Sequence, residues 1–163
     1  MVKKNIIIED ARIGFRNFSG EEGKFNPKGN RNFCVFLETP FAEELENDGW
    51  NIKWLPPREE GDEEQAYMQV SVNYRNIPPK IMMISSNNKT LMTEDMVEML
   101  DWAELEQVDL IIRPYNWEVN GKRGVKAYLK SMYAVLEENE LDRKYSDYET
   151  TYPGQSRDDG DEF

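Results

Sequence analysis

Between residues 108 and 136 the sequence reads VDLIIRPYNWEV, NGKRG, VKAYLKSMYAVL, and two triplets in it suit one kind of ligand. Arg113, Tyr115 and Trp117 share one face of an extended strand, and Lys126, Tyr128 and Lys130 share one face of the next. Cations along a strand can follow recurring phosphates, while flat rings offer surfaces on which exposed bases stack. That pattern fits single-stranded nucleic acid, since a duplex keeps its base faces inside. Lys122 and Arg123 add charge at the joining turn. Tyr115 and Trp117 are also readable as core residues, and hairpin register decides. Pairing Val119 with Gly124 gathers both triplets on one face, whereas pairing Val119 with Val125 puts them on opposite faces.

A second constellation is RIGFRNFSGEEGKFNPKGNRNF, which sets Arg12, Arg16, Lys24, Lys28 and Arg31 among Phe15, Phe18, Phe25 and Phe33. Phe18 and Phe25 flank Gly-rich loop, where burial is harder to arrange, so at least one of them is expected to touch a ligand. Loop cations can track an irregular strand and loop aromatics can close over a base. A third place is the polar side of the strand from Tyr67 to Arg75. There Gln69, Ser71 and Asn73 could hydrogen-bond bases or sugars, although an ordinary wet sheet face reads the same way. Trp54 is ambiguous between rim and core.

The elements that must hold these residues are mostly short strands. NIII, ARIGF, NFCVFL, NIKWL and KIMMI are apolar runs between turn-rich stretches, and YMQVSVNY alternates Met68, Val70, Val72 and Tyr74 with polar residues. Asn120-Gly121 is a hairpin signal because both residue types tolerate positive φ. Two short helices are expected: one after Pro40 through FAEELENDG, and one after Thr93 with Met96, Val97, Leu100 and Ala103 on a face. The pattern is mainly β, a small barrel or sandwich. Carboxylate pairs such as Asp101 with Glu104 read as solvated helix surface. The last stretch, TTYPGQSRDDGDEF, has the composition of a disordered tail.

A net charge of −12 would argue against a phosphate ligand if it were spread evenly. Residues 137 to 163 hold ten of the 32 acidic and three of the 20 basic residues, so more than half of the imbalance sits in the last sixth of the chain. From Arg12 to Arg31 there are five basic against two acidic residues, and from Arg113 to Lys130 five against one. The single cysteine, Cys34, excludes an internal disulfide and multi-thiolate zinc sites, and the absence of histidine removes Ser-His and Cys-His catalysis. Nothing calls for a cofactor or a metal. Ile6 to Ile8 is too short an apolar run for a signal peptide or a membrane span, so a cytoplasmic protein without membrane contact is expected.

With these features the sequence resembles the single-stranded DNA-binding proteins encoded by bacteriophages. The resemblance covers most of residues 5 to 136, through ARIGFRNFSGEEGKFNPKGNRNF, NIPPKI and VDLIIRPYNWEVNGKRGVKAYLKSMY. It implies an OB-fold-like domain over residues 1–136 that sequesters single strands in the host cytoplasm during replication or recombination, with no catalysis. It also implies that the acidic extension over 137–163 recruits replication proteins. An OB barrel is usually described with five strands, fewer than the runs counted here. In the tail, Asp158, Asp159, Asp161 and Glu162 can mimic phosphates in the protein's own groove or steer to basic pockets, with Phe163 as an anchor. Monomer and homodimer both remain open. The competing classes are an acidic interaction protein that mimics DNA and a nuclease with carboxylate-held metal.

Overall fold

The structure is a computed structural model and describes residues 2, 4–86, 88–138, 141, 144 and 145. Its strands are β1 (Ile6–Ile8), β2 (Arg12–Asn17), β3 (Arg31–Leu37), β4 (Ile52–Leu55), β5 (Gln65–Val72), β6 (Lys80–Ser85), β7 (Asn88–Leu91), β8 (Leu105–Val119) and β9 (Lys122–Leu136). An α-helix, α1 (Thr39–Asn47), and a 3-10 helix (Val97–Asp101) accompany them. The main path of the sheet runs β1-β8-β9-β5-β3-β2, with β4 beside β5 and the β6–β7 hairpin beside β9. The fold is mainly β, as the sequence pattern requires. Its ladder stays open: β1 and β2 end the path, and the chain between them is tied back by the Ala11 N–H donating to the Val108 carbonyl at 2.7 Å.

Alternation along β5 decides which face is the core. Ala66, Met68, Val70 and Val72 are buried, while Tyr67, Gln69 and Ser71 look the other way. On β3, Phe33, Val35 and Leu37 join the same core, although the continuous apolar run NFCVFL conceals this alternation. Ala42 and Leu45 of α1 pack onto the core, and Pro40 sits in the first turn, where its missing N–H costs nothing. Gly49 follows at φ +101, a value that suits glycine.

The helix expected after Thr93 contracts to the 3-10 turn. Val97 and Leu100 are buried as the pattern demands. The Leu100 and Ala103 carbonyls accept hydrogen bonds from the Arg16 guanidinium, at 3.0 and 2.6 Å. Tertiary bonding from β2 thus occupies acceptors that a longer helix would have paired internally. Asp101 is not merely solvated surface either, because its carboxylate accepts the Phe18 and Ser19 N–H groups at 2.6 and 3.1 Å. Trp54 is half-buried against the core, its indole N–H donating to Glu46 at 3.2 Å.

Candidate nucleic-acid interface

The β8–β9 hairpin turns through Asn120 and Gly121 at φ +53 and +79, so both central residues have the positive φ of a two-residue type I′ turn. Val119 therefore pairs with Lys122, which is neither of the two registers weighed from sequence. The tighter turn keeps the parity that gathers the triplets: Arg113 lies opposite Tyr128, Tyr115 opposite Lys126 and Trp117 opposite Gly124. Val125, Ala127 and Leu129 face the core from the other side. Near Lys130 the register shifts by one residue, so that Met132 and Ala134 become the inward residues of β9.

On the outer face of the hairpin, Tyr128 is the hub. Arg113 and Lys126 each place their charge 5.1 Å from its ring centroid, and Tyr115 meets it edge-on at 5.9 Å. Trp117, 38% exposed, lies over Gly124, where a Cβ would come within 2.8 Å of the indole. A larger residue there would displace the ring.

The segment between β2 and β3 is held by asparagines. The Asn17 and Asn26 side chains bond the loop backbone at Glu21, Pro27 and Asn30, and Asn32 donates to Asn26 Oδ1 at 2.9 Å. Gly20 and Gly29 meet so closely that a Cβ on Gly20 would lie 3.0 Å from the Gly29 backbone. This frame carries Lys24 and Phe25 at its tip, between the paired Gly23 and Asn26. Phe25 is 91% exposed, with the Lys24 ammonium 5.4 Å from its ring centroid.

Loop tip, β5 and hairpin together bound a groove of about 800 Å³. Eight of the residues expected from sequence line it: Phe25, Lys28, Arg31, Arg75, Trp117, Arg123, Lys126 and Tyr128. Gln69, Ser71 and Asn73 supply uncharged donors and acceptors along its length, and Glu94 is the one acidic side chain among the described residues that line it. Five cations against one carboxylate make the groove electropositive within an acidic protein. Arg31 is partly engaged, donating to the Phe18 carbonyl at 2.5 Å and standing 3.6 Å from Glu94. Burial raises the Tyr74 phenol above its ordinary pKa; Glu94 adds to this and Arg31 opposes it.

The remaining expected residues divide. Arg113 and Tyr115 continue the groove wall through Tyr128. Lys24, Lys122 and Lys130 are exposed outside it, and Arg12, Phe15 and Tyr67 form a separate cluster. Two expectations are corrected. Phe18 is fully buried and stacked on Phe33 at 5.1 Å, so it cannot reach a base. Arg16 is half-buried, and its guanidinium is turned to main-chain carbonyls. Sequence reading missed Asn26, Asn32, Asn51 and Tyr74 in the groove, and Phe36 and Lys53 in the cluster of Arg12, Phe15 and Tyr67. Only for Lys53 was there a signal, its alternation with Ile52 and Trp54 in β4, since the apolar run of β3 hides the parity of Phe36. The tail residues Asp158, Asp159, Asp161, Glu162 and Phe163, and the disorder expected there, lie outside the described residues. Among the described residues no group of three or more Asp, Glu, His or Cys is placed to hold a metal, and no helix is long and apolar enough to cross a membrane.

The family model described as "Putative phage ssDNA-binding domain" matches residues 1–154. The chain belongs to that family. No curated protein sequence matches it. Among solved structures it is similar to the single-stranded DNA-binding protein from bacteriophage Enc34 in complex with ssDNA. The identity is 11% and the TM-score 0.54, covering 83% of this chain and 88% of that one. A second structure of the single-stranded DNA-binding protein from bacteriophage Enc34 gives 10% identity and a TM-score of 0.52, covering 83% of this chain and 82% of that one. At such identities the likeness is one of fold, and the family is fixed by the sequence model.

Proposed function

We propose that this chain binds single-stranded DNA without sequence preference, in the groove between the Phe25 loop, β5 and the β8–β9 hairpin, by phosphate pairing and base stacking and without catalysis. The observation that carries the reading is the gathering of five cations with the Phe25, Trp117 and Tyr128 rings at one groove in an otherwise acidic protein, within a chain that belongs to a phage single-stranded DNA-binding family. Trp117, Tyr128 and Phe25 offer faces for stacking, each worth roughly 1–3 kcal/mol per base. Lys28, Arg31, Arg75, Arg123 and Lys126 meet phosphates, while Gln69, Ser71 and Asn73 bond whatever base edge or sugar lies above them. If about four phosphates are neutralised, the logarithmic salt slope is about −2.8.

In the host cytoplasm this activity serves replication or recombination. The extension over 137–163, with its surplus of carboxylates, competes with DNA for the groove and recruits replication proteins once displaced. Removing Asp158 to Phe163 then strengthens DNA binding at low salt and abolishes capture of those proteins; unchanged affinity and capture would refute the role of the tail alone.

The primary test is intrinsic Trp fluorescence during titration with oligo-dT and with matched duplex, at two salt concentrations and without Mg²⁺. Quenching by the single strand only, weakened by salt and reduced in Trp117→Phe, is expected. No response to either DNA, with no gel shift, would overturn the proposal in favour of an acidic interaction protein.

A further inference from the structure

The outer face of the sheet does not stop at the groove. Following β5 from Ser71 through Gln69 to Tyr67, alternate residues stay on that face for about 13 Å. The neighbouring β3 carries Asn32, Cys34 and Phe36 beside them in register. At the far end three aromatic rings meet. Phe15 packs 6.0 Å from Phe36 and 6.0 Å from Tyr67, tilted by 54° and 53°. Arg12 lays its guanidinium 5.3 Å from the Phe36 centroid and donates to Gln65 Oε1 at 3.0 Å. Lys53, opposite Tyr67 on β4, adds a second exposed cation.

Two features set this cluster apart from an incidental apolar patch. Phe15 has φ +46, in the left-handed region that a phenylalanine seldom adopts, at a register shift between Gly14 and Asn17. This strained backbone holds the ring on the surface, 62% exposed, where a core gains nothing from it. Phe36 lies over Gly14, whose Cβ would come within 2.7 Å of the ring, just as Trp117 lies over Gly124. The two ends of the face are alike in that each has a ring spread over a glycine.

We infer that Phe15, Phe36 and Tyr67, with Arg12 and Lys53, form a second base-stacking subsite, which a single strand reaches only after filling the groove and running along β3 and β5. The inference rests on the proposed single-stranded DNA binding and extends it from one groove to a track with two aromatic stations. Continuity with the groove on one sheet face, and cations flanking the rings, favour a DNA strand over a protein partner. The occluded length is then set by both stations, and short strands use one alone.

The experiment compares oligo-dT of about 5 and about 16 nucleotides, near the ends of the range of site sizes for such folds, on the full chain. The variants are Phe15→Gly, Tyr67→Ala and, for the groove, Tyr128→Ala. Phe15→Gly relieves the positive φ, so its melting temperature should not fall. It and Tyr67→Ala should weaken the longer strand by at least about 5-fold each and leave the shorter one unchanged, whereas Tyr128→Ala weakens both. Equal losses on both lengths, or none on either, would overturn the second subsite while leaving groove binding intact. So would a change of sedimenting mass in Phe15→Gly without a length-dependent loss, which would mark the rings as a contact between copies. Failure of the unmodified chain to bind either oligonucleotide would refute the DNA-binding reading itself, and this inference with it.

Discussion

Two regions of the molecule carry the same interleaving of cations and aromatics and deploy it differently. In the β8–β9 hairpin, Arg113, Tyr115 and Trp117 reach the outer face on regular extended backbone, and the opposite parity supplies the core through Val125, Ala127 and Leu129. From Arg12 to Arg31 the backbone is irregular, and each ring has its own environment. Phe15 is turned outward by a positive φ, Phe18 is in the core, and Phe25 stands at a loop tip. The cations divide similarly, since Arg16 bonds carbonyls while Lys28 is free to line the groove. On a regular strand, binding and stability separate by face; in the irregular segment they separate residue by residue.

The largest effect expected from this contrast lies within the irregular segment. Phe18→Ala removes a fully buried ring stacked on Phe33 and should cost about 3–5 kcal/mol of stability. Phe25→Ala, seven residues later, should stay within about 0.5 kcal/mol and weaken DNA instead. Urea denaturation of both variants beside a DNA titration measures it. Comparable destabilisation by the two would erase the distinction between core ring and loop-tip ring.

Next in size are the hairpin rings. Trp117→Ala and Tyr128→Ala should each lose about 1–3 kcal/mol of affinity for single strands, with the larger stability cost falling on the more enclosed Tyr128. Gly124→Val tests the same station without deleting an aromatic, because a side chain there collides with the indole of Trp117. Its affinity should fall in the same direction as for Trp117→Ala. A Gly124→Val protein that binds normally would show that the position of the ring does not matter.

How much of this was legible in the sequence follows the same division. Period-two alternation in β5 and the Asn120-Gly121 turn are local properties, and they placed the outward residues of the central strand and the hairpin. The exact register was not local, since of two loop lengths differing by one residue one gathers the triplets and the other separates them, and a third length was the one adopted. Phe18 could not be assigned from its neighbours, because its burial depends on Asp101 and Phe33, which are remote in sequence. Arg16 was misread for a similar reason: its acceptors come from a helix that tertiary contacts shortened. Of the groove polars, Asn26 reads as turn composition and Asn32 as the start of a strand, and both gain meaning only through the loop they brace.

Charge offers a finer test. Arg123→Gln with Lys126→Gln should make the salt slope shallower by about 1.4, if each cation neutralises one phosphate of a single strand. Arg16→Gln should lower the melting temperature and leave the slope unchanged, because its guanidinium is held by the Leu100 and Ala103 carbonyls. Titrations at four or more salt concentrations separate the two outcomes. A shallower slope for Arg16→Gln would return that residue to the phosphate-binding set.

The smallest effect comes from Cys34, which belongs by parity to the outer face of β3 yet is buried, opposite Gly14 and Gln69. Burial pushes its thiol up from 9.0 to about 11, against the opposing pull of the Lys53 charge. The folded protein therefore holds the proton more tightly than the unfolded chain does. Below about pH 9 both states are protonated and the contribution to stability is complete. Between there and about pH 11 the unfolded chain releases its proton first, so stability falls as pH rises through that window. Cys34→Val removes the titration. Its denaturation free energy should decline less steeply over the same range, by an amount on the order of 1 kcal/mol. Parallel alkaline limbs for the two proteins would mean that water reaches the thiol, and that the face between groove and aromatic cluster is more open than the packing of Phe36 over Gly14 implies.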